Sequence, residues 1–211
     1  MSKKNDGKKP KQKQFEAHIV TLGDSQVGKT SLILRYTDNS FTQEYLATIG
    51  FDLKLKKLTL PNGEEIRVKI SDTAGQERFK SIATNYLKKA NGVILAYDVT
   101  KETSFENIDN WVEQINAESG VSRPIILIGN KCDLADKRVI SKEKGEELAQ
   151  KTLGGIKFYE TSCKTGENVE NAIDDLVYQI YNKYSGKNAN EEGNIKIEKE
   201  EKGGAKKKKC C

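Results

Sequence analysis

The chain of 211 residues is long enough for one domain with a hydrophobic core, and its 36% hydrophobic and 32% charged residues fit a soluble protein with polar tails. No apolar run approaches the ~20 residues that cross a bilayer, and no apolar segment follows the N-terminal charges as in a secretory signal. The net charge of +5 divides into +5 for residues 1–14, +3 for residues 185–211 and −3 for the body, so we expect no binding to nucleic acid.

Composition divides the chain into three regions. We predict a disordered basic tail over 1–14, a folded domain over 15–184 and a flexible tail over 185–211. The first predicted elements are a strand over 15–23, a helix opened by GKTSLILRYTD, and a hairpin in which 51–60 turns at Asn62-Gly63 into EIRVKI. Buried strands follow over 92–99 and 124–131, and a last strand is predicted at KFYETS. Helices are predicted to start near Ser104, after Ser141 and near Asn168. This alternation predicts an α/β fold with a mostly parallel sheet and one antiparallel hairpin.

A phosphate-binding pattern follows the first strand. The segment GDSQVGKT, residues 23–30, matches G-x-x-x-x-G-K-[ST] between a strand and a helix, which is the context that the pattern requires. Glycines let the backbone approach phosphates, and the Thr30 hydroxyl binds Mg²⁺. Lys29 reaches the β- and γ-phosphates and is predicted to be catalytic. The predicted nucleotide contacts are Ser25, Gln26, Val27, Gly28, Lys29, Thr30 and Ser31. The pattern indicates a nucleoside triphosphate without specifying its base.

Two later loops predict which base is bound. In NKCD, residues 130–133, the Asp133 carboxylate can accept hydrogen bonds from the two adjacent N–H donors of guanine, a pair that adenine does not offer. Asn130 can bind the base and hold the loop, and the stem of Lys131 can lie on the ring. The loop ETSCKTG, residues 160–166, adds Ser162, Cys163 and Lys164 as predicted contacts, with the Cys163 N–H directed at the guanine oxygen.

The segment DTAGQE, residues 72–77, completes the predicted site at the end of another strand. Asp72 is placed to hold the shell of Mg²⁺, and Gly75 can offer its N–H to the γ-phosphate. Gln76 then falls where a side chain could orient the attacking water. The pattern D-x-x-G is weak by itself, and its strand context and its position between the other motifs give it weight.

These motifs give the chain a resemblance to a known family. GDSQVGKTS, ATIGFD, DTAGQERF, YDVT, GNKCDL and ETSCKTG, spread over about residues 15–184, resemble a small GTPase of the Ras superfamily, most of all the secretory branch of the Rab family. The resemblance implies a P-loop NTPase three-layer sandwich with a six-stranded sheet, one antiparallel strand and about five helices. It also implies that Thr48 binds Mg²⁺ and the γ-phosphate, that Phe41 packs on guanine and that Tyr45 covers the phosphates. From the residues alone, both aromatics could equally be ordinary loop residues.

The resemblance implies a switch that binds GTP or GDP with Mg²⁺ and whose loops around Thr48 and Gly75 release on hydrolysis. No arginine occurs between Arg35 and Arg67, so we expect slow intrinsic hydrolysis that an activating protein completes. Further implied partners are an exchange factor, a prenylation escort, a GDP-dissociation inhibitor and effectors, around a monomeric body. Gln26, Ser71 and Leu53 depart from the family pattern, which predicts unusual effectors and leaves open a pseudo-switch that barely hydrolyses GTP. A P-loop metabolic kinase and a Ran-like carrier fit less well.

The sequence ends in AKKKKCC. Rab-like chains carry geranylgeranyl groups on such a pair, here Cys210 and Cys211, and two lipid chains beside four lysines form a stable anchor where one chain would not. We therefore expect the protein on the cytoplasmic face of an endomembrane or of the plasma membrane, cycling with the cytosol. Cys132 and Cys163 are expected to be packing residues, and His18 a structural or edge histidine.

Overall fold

The computed structural model describes residues 14–42, 51–73, 85–117 and 122–185, and within them it confirms the predicted α/β fold. The strands are β1 Glu16–Leu22, β2 Phe51–Thr59, β3 Glu65–Thr73, β4 Gly92–Asp98, β5 Ile125–Asn130 and β6 Lys157–Thr161. The described helices are α1 Lys29–Asp38, α2 Glu102–Glu106, α3 Ile108–Ala117, α4 Lys142–Glu147, which a π-helical turn over Leu148–Thr152 continues, and α5 Val169–Tyr184. Ala135–Lys137 forms a short 3₁₀ turn.

The six strands form one sheet in the order β2-β3-β1-β4-β5-β6. All neighbouring pairs are parallel except β2 with β3, which pair antiparallel from Phe51 opposite Thr73 to Thr59 opposite Glu65. The connection between them turns at Gly63, whose φ of 80° lies in the left-handed region that glycine adopts without strain. The Asn-Gly signal therefore predicted the one antiparallel hairpin correctly.

The hydrophobic core lies on both faces of the sheet, which makes the fold a three-layer sandwich. On β1, Ala17 and Ile19 pack into the cluster that contains the buried residues of α1 and α5. Val20 and Leu22 belong to the cluster on the other face, which contains Trp111 of α3. Strand β4 is buried along its whole length, as expected for a central parallel strand covered on both sides.

The final helix follows its predicted pattern closely. It starts one residue after Asn168, and the predicted stripe is almost completely buried: Val169, Ala172, Ile173, Leu176 and Ile180. The helix after Ser141 is also confirmed, because the Ser141 side chain accepts a hydrogen bond from the Lys144 N–H and caps the first turn. Within the described residues, no helix has the length and apolar character needed to span a membrane.

Two details differ from the sequence prediction. The helix expected from Ser104 is two helices, because the chain breaks at Asn107, between α2 and α3. The alternative of an edge position for His18 is wrong, because β1 lies inside the sheet between β3 and β4. The His18 imidazole is structural: its Nε2 lies 2.9 Å from the Ser71 hydroxyl of the neighbouring strand.

Candidate functional site

The candidate site lies at the edge of the sheet where the parallel strands end. Residues 23–28 connect β1 to α1, residues 131–134 follow β5, and residues 162–168 follow β6. Because these strands run in the same direction, their carboxyl ends bring the three loops together. The structure thus assembles segments of the sequence that are more than 100 residues apart.

Backbone geometry explains the two glycines of the loop 23–28. Gly23 has a φ of 137°, and a Cβ there would lie 2.1 Å from the Ala96 carbonyl oxygen of β4. Gly28 has a φ of 99°, and its Cβ would lie 2.3 Å from Nδ2 of Asn130. Any side chain at either position would displace backbone or the buried amide. Gln26 also has a positive φ, 69°, although it is not glycine, and its side chain is exposed.

Lys29 begins α1 and is only 5% exposed. Its ammonium donates to the carbonyl oxygen of Gly23 at 2.8 Å and to that of Asp24 at 2.7 Å, so the loop closes around the charge. Burial lowers the pKa of Lys29 to about 8, and the carboxylates of Asp72 and Asp24 offset part of that effect. A phosphate placed in this loop would meet a desolvated cation.

Two side chains with oxygen atoms, Thr30 and Asp72, lie beside this lysine. The Thr30 hydroxyl donates to Oδ2 of Asp72 at 2.7 Å, which joins α1 to the end of β3. Asp72 is only 2% exposed. A hydroxyl and a carboxylate are hard oxygen donors of the kind that Mg²⁺ prefers, and Mg²⁺ commonly takes one or two protein ligands and completes its shell with water and phosphate oxygens. The residues present therefore fit a magnesium ion next to a bound phosphate.

Asn130 connects the phosphate loop to the two loops that follow β5 and β6. Its Nδ2 donates to the Val27 carbonyl oxygen at 2.8 Å, and its Oδ1 accepts from the Thr161 hydroxyl at 3.1 Å. Cys163 Sγ lies 3.4 Å from the same Oδ1. The side chain is 2% exposed, so both ends of the amide are engaged inside the protein. Asn130 therefore holds the loops, and its predicted contact with the base stays a prediction.

The carboxylate of Asp133 is held in place by the neighbouring loop. Ser162 donates its hydroxyl to Oδ1 of Asp133 at 2.6 Å, and the Ser162 oxygen in turn accepts from the Thr165 N–H at 3.1 Å. Lys131 has a φ of 68°, and its ammonium pairs with Oδ2 of Asp98 at 2.7 Å. These contacts fix the orientation of the Asp133 carboxylate, and its predicted contact with a base stays a prediction.

Arg35 of α1 holds the loop after β6 and was not predicted from the sequence. Its Nε donates to the Cys163 carbonyl oxygen at 2.7 Å and its Nη2 to that of Lys164 at 3.0 Å. The Cys163 thiol is buried, and burial raises its pKa to about 12, which agrees with a packing role. Arg35 and Cys163 are 128 positions apart, so no local pattern could have revealed the contact.

The remaining predicted residues fall into two groups. Phe41 lies three residues after the end of α1 with 37% of its surface exposed, and Ser31 lies in the first turn of α1. Other predicted residues lie outside the described part of the chain: Tyr45, Thr48, Gly75, Gln76, Cys210 and Cys211.

The sheet order, the glycine loop around a buried lysine and the two loops tied to it define a P-loop nucleotide-binding protein. A family model described as the Ras family matches residues 18–182. The chain therefore belongs to the Ras family, and among its members it is a Rab-type small GTPase, an enzyme that hydrolyses GTP.

The similarity extends over most of the chain. Ras-related protein Rab-13 of Canis lupus familiaris is 46% identical over 171 residues, covering 80% of this chain and 82% of that protein. Ras-related protein Rab-8B of Homo sapiens is 46% identical over 171 residues, covering 80% of each chain. Ras-related protein Rab-8B of Dictyostelium discoideum is 45% identical over 172 residues, covering 82% of this chain and 83% of the relative.

Proposed function

We propose that this protein is a membrane-anchored guanine-nucleotide switch in vesicle traffic, which binds GTP or GDP with Mg²⁺ and hydrolyses GTP slowly. The observation that carries the proposal is the Asp133 carboxylate, held by Ser162 at 2.6 Å beside a phosphate loop that Asn130 ties to it. A carboxylate offers only acceptors, and guanine alone among the common bases presents two adjacent N–H donors on one edge. The site is thereby matched to guanine.

The phosphate loop supplies binding and charge. Backbone N–H groups of residues 25–31 and the N-terminus of α1 receive the phosphates, and Lys29 exchanges its carbonyl partners for phosphate oxygens. Bound Mg²⁺ would neutralise the β- and γ-phosphate oxygens, with Thr30 and Asp72 as its protein ligands and Thr48 as a third when GTP is present. By the family resemblance, Gln76 would orient the attacking water and Gly75 would offer its N–H to the γ-phosphate.

Hydrolysis of GTP without a partner should be slow, because no arginine occurs between Arg35 and Arg67 to stabilise the transition state from within the chain. The full-length protein should bind GTP and GDP at least about a thousandfold more tightly than ATP and hydrolyse GTP at about 10⁻³ per second or less. Fluorescent-nucleotide titration and single-turnover hydrolysis measure both. Gln76→Leu should bind GTP normally and hydrolyse it at least about tenfold more slowly. Tight ATP binding would contradict the proposed switch.

The affinity for GDP should depend on pH through Lys29. Burial holds the pKa of the free protein's Lys29 at about 8, and a phosphate partner raises it, so binding above pH 8 must take up a proton. Affinity should therefore be constant between pH 7 and 7.5 and about tenfold weaker at pH 9, by linkage. Calorimetry at several pH values measures this. Lys29→Arg is the control: arginine stays charged, so a parallel fall in its affinity would assign the effect to ionisation of the ligand and not to Lys29.

We also propose lipid modification of Cys210 and Cys211, which four lysines precede. Each buried CH₂ contributes ~0.8 kcal/mol and each lysine at an anionic surface ~1 kcal/mol, so two geranylgeranyl chains dominate the anchor. The protein from its own cells should carry the mass of two such groups, and the modified form should partition into membranes. Changing both cysteines to serine should remove the added mass and the partitioning. An unmodified native protein would overturn the anchor and leave the nucleotide site untouched.

The partners of such a switch would be an exchange factor, an activating protein, a prenylation escort, a GDP-dissociation inhibitor and effectors. On the sheet face formed by β2 and β3, Leu53 is 42% exposed and Leu55 57% exposed. Ser71, opposite Leu53 in the register, is fully buried against His18 and offers no aromatic surface. These exposed aliphatic side chains, with a serine in place of an aromatic residue, support the proposal that the effectors are unusual for the family.

A further inference from the structure

The phosphate loop contains a carboxylate that the proposed reaction does not use. Asp24 directly follows Gly23, and its two carboxylate oxygens accept hydrogen bonds from different side chains. Oδ2 accepts from Nδ2 of Asn107 at 2.7 Å, and Oδ1 accepts from Nε1 of Trp111 at 2.9 Å. The two donors lie 83 and 87 positions further along the sequence, so these hydrogen bonds are tertiary contacts and not a feature of the loop itself.

The contact occurs where the predicted helix is broken. Asn107 lies between α2 and α3, and Trp111 lies in the first turn of α3, one helical turn further along. The break and the spacing of four residues direct both donors to the same carboxylate. Trp111 is the single tryptophan of the chain and is only 6% exposed, so its indole N–H needs a buried acceptor, which Asp24 supplies.

A carboxylate in a loop that binds phosphates is unfavourable unless its position is controlled, because like charges repel strongly where water is excluded. Asp24 is also connected to the catalytic lysine, since its backbone carbonyl oxygen accepts from the Lys29 ammonium at 2.7 Å. A displacement of Asp24 would therefore change both the charge near the phosphates and the cradle of Lys29.

We infer that Asn107 and Trp111 are positioning residues of the nucleotide site: they hold the Asp24 carboxylate against α3, away from the phosphates, and so fix the loop around Lys29. This inference deepens the proposed function and rests on nucleotide binding at this loop. By this inference α3 influences the dissociation rate of the nucleotide, although none of its residues is among the predicted base or phosphate contacts.

The test is the dissociation rate of fluorescent GDP from the full chain and its variants. Trp111→Phe keeps an aromatic ring and removes the N–H, and Asn107→Ala removes the other donor. With both changes the carboxylate is released, and the dissociation rate should rise about tenfold or more, since hydrogen bonds to charged groups are the strong ones. Asn107→Ala alone should raise the rate about threefold, which keeps the test available if the tryptophan variant folds poorly.

A double-mutant cycle with Asp24→Ala separates positioning from general support of the fold. In the Asp24→Ala background, removing the two donors should change the rate less than twofold, and the triple variant should release GDP more slowly than the variant that lacks only the donors. This rescue has no explanation if Trp111 merely packs, because lost packing would speed release in both backgrounds. Equal acceleration in both backgrounds would overturn the inference.

Two controls keep the outcomes distinct. Glu113→Ala changes an exposed residue on the same helix and should leave the dissociation rate within twofold of the wild type. Thermal unfolding of every variant identifies losses that come from stability alone. If the wild-type chain bound no guanine nucleotide, the proposed function would fail and the inference with it; if it bound GDP and the cycle showed no coupling, only the inference would fail.

Discussion

Asp133→Asn is expected to replace guanine with xanthine as the preferred base. The wild-type carboxylate presents two acceptors to the N1–H and 2-amino donors of guanine. An asparagine amide presents one acceptor and one donor, which opposes the 2-amino group of guanine and matches the 2-oxo group of xanthine. Because sites built to hydrogen-bond a ligand reject the mismatched analogue strongly, affinity for GDP should fall at least about a thousandfold and affinity for XDP should rise.

Competition titrations with GDP, XDP and ADP on the full chain measure this exchange of specificity. Ser162→Ala is the matched control, since it removes the hydroxyl that holds Asp133 at 2.6 Å but leaves the carboxylate. That variant should bind GDP about tenfold more weakly through the lost hydrogen bond while still preferring it over XDP. An Asp133→Asn protein that still preferred GDP would show that the base is recognised elsewhere.

Gly28→Ala should disrupt the site through backbone strain and through the contact of the added methyl group with the Asn130 amide. A side chain at a φ of 99° is strained, and its Cβ would lie 2.3 Å from Nδ2 of Asn130, which now donates to the Val27 carbonyl oxygen. The backbone strain costs about 1–3 kcal/mol, and separating the buried amide from its acceptor costs a similar amount. We expect the free energy of unfolding to fall by about 2–6 kcal/mol. The affinity for GDP should fall at least about a hundredfold, which corresponds to ~2.8 kcal/mol of binding free energy.

Gly63→Ala provides the comparison for that prediction. Gly63 has a similar left-handed φ of 80° in the hairpin between β2 and β3, and a Cβ there would meet nothing within 4 Å. The variant should lose only the ~1–2 kcal/mol of left-handed backbone strain and keep its affinity for GDP. Denaturant unfolding and nucleotide titration on both variants measure the difference. Equal losses for the two variants would mean that the contact with Asn130 is unimportant.

Much of the fold could be predicted from the sequence because its signals are local. Period-2 alternation and Asn62-Gly63 predicted the hairpin, and the continuous apolar run of β4 predicted a strand buried on both faces. The phosphate loop could also be predicted, because its glycines, Lys29 and Thr30 must lie at fixed spacings within one short segment. Together with the phosphate loop and the order of the motifs, the carboxylate of Asp133 predicted guanine.

The sequence by itself determined the elements, the order of the motifs and the chemistry that each motif offers, because these depend on neighbouring residues and on residue type. Only the tertiary structure decided which side chains hold the motifs in place. Arg35 reaches the loop of Cys163 across 128 positions, and Trp111 reaches Asp24 across 87. Such contacts depend on the order of strands in the sheet and on where each helix packs. Sequence patterns report only the periods of helices and strands, so they do not indicate which distant side chains will meet.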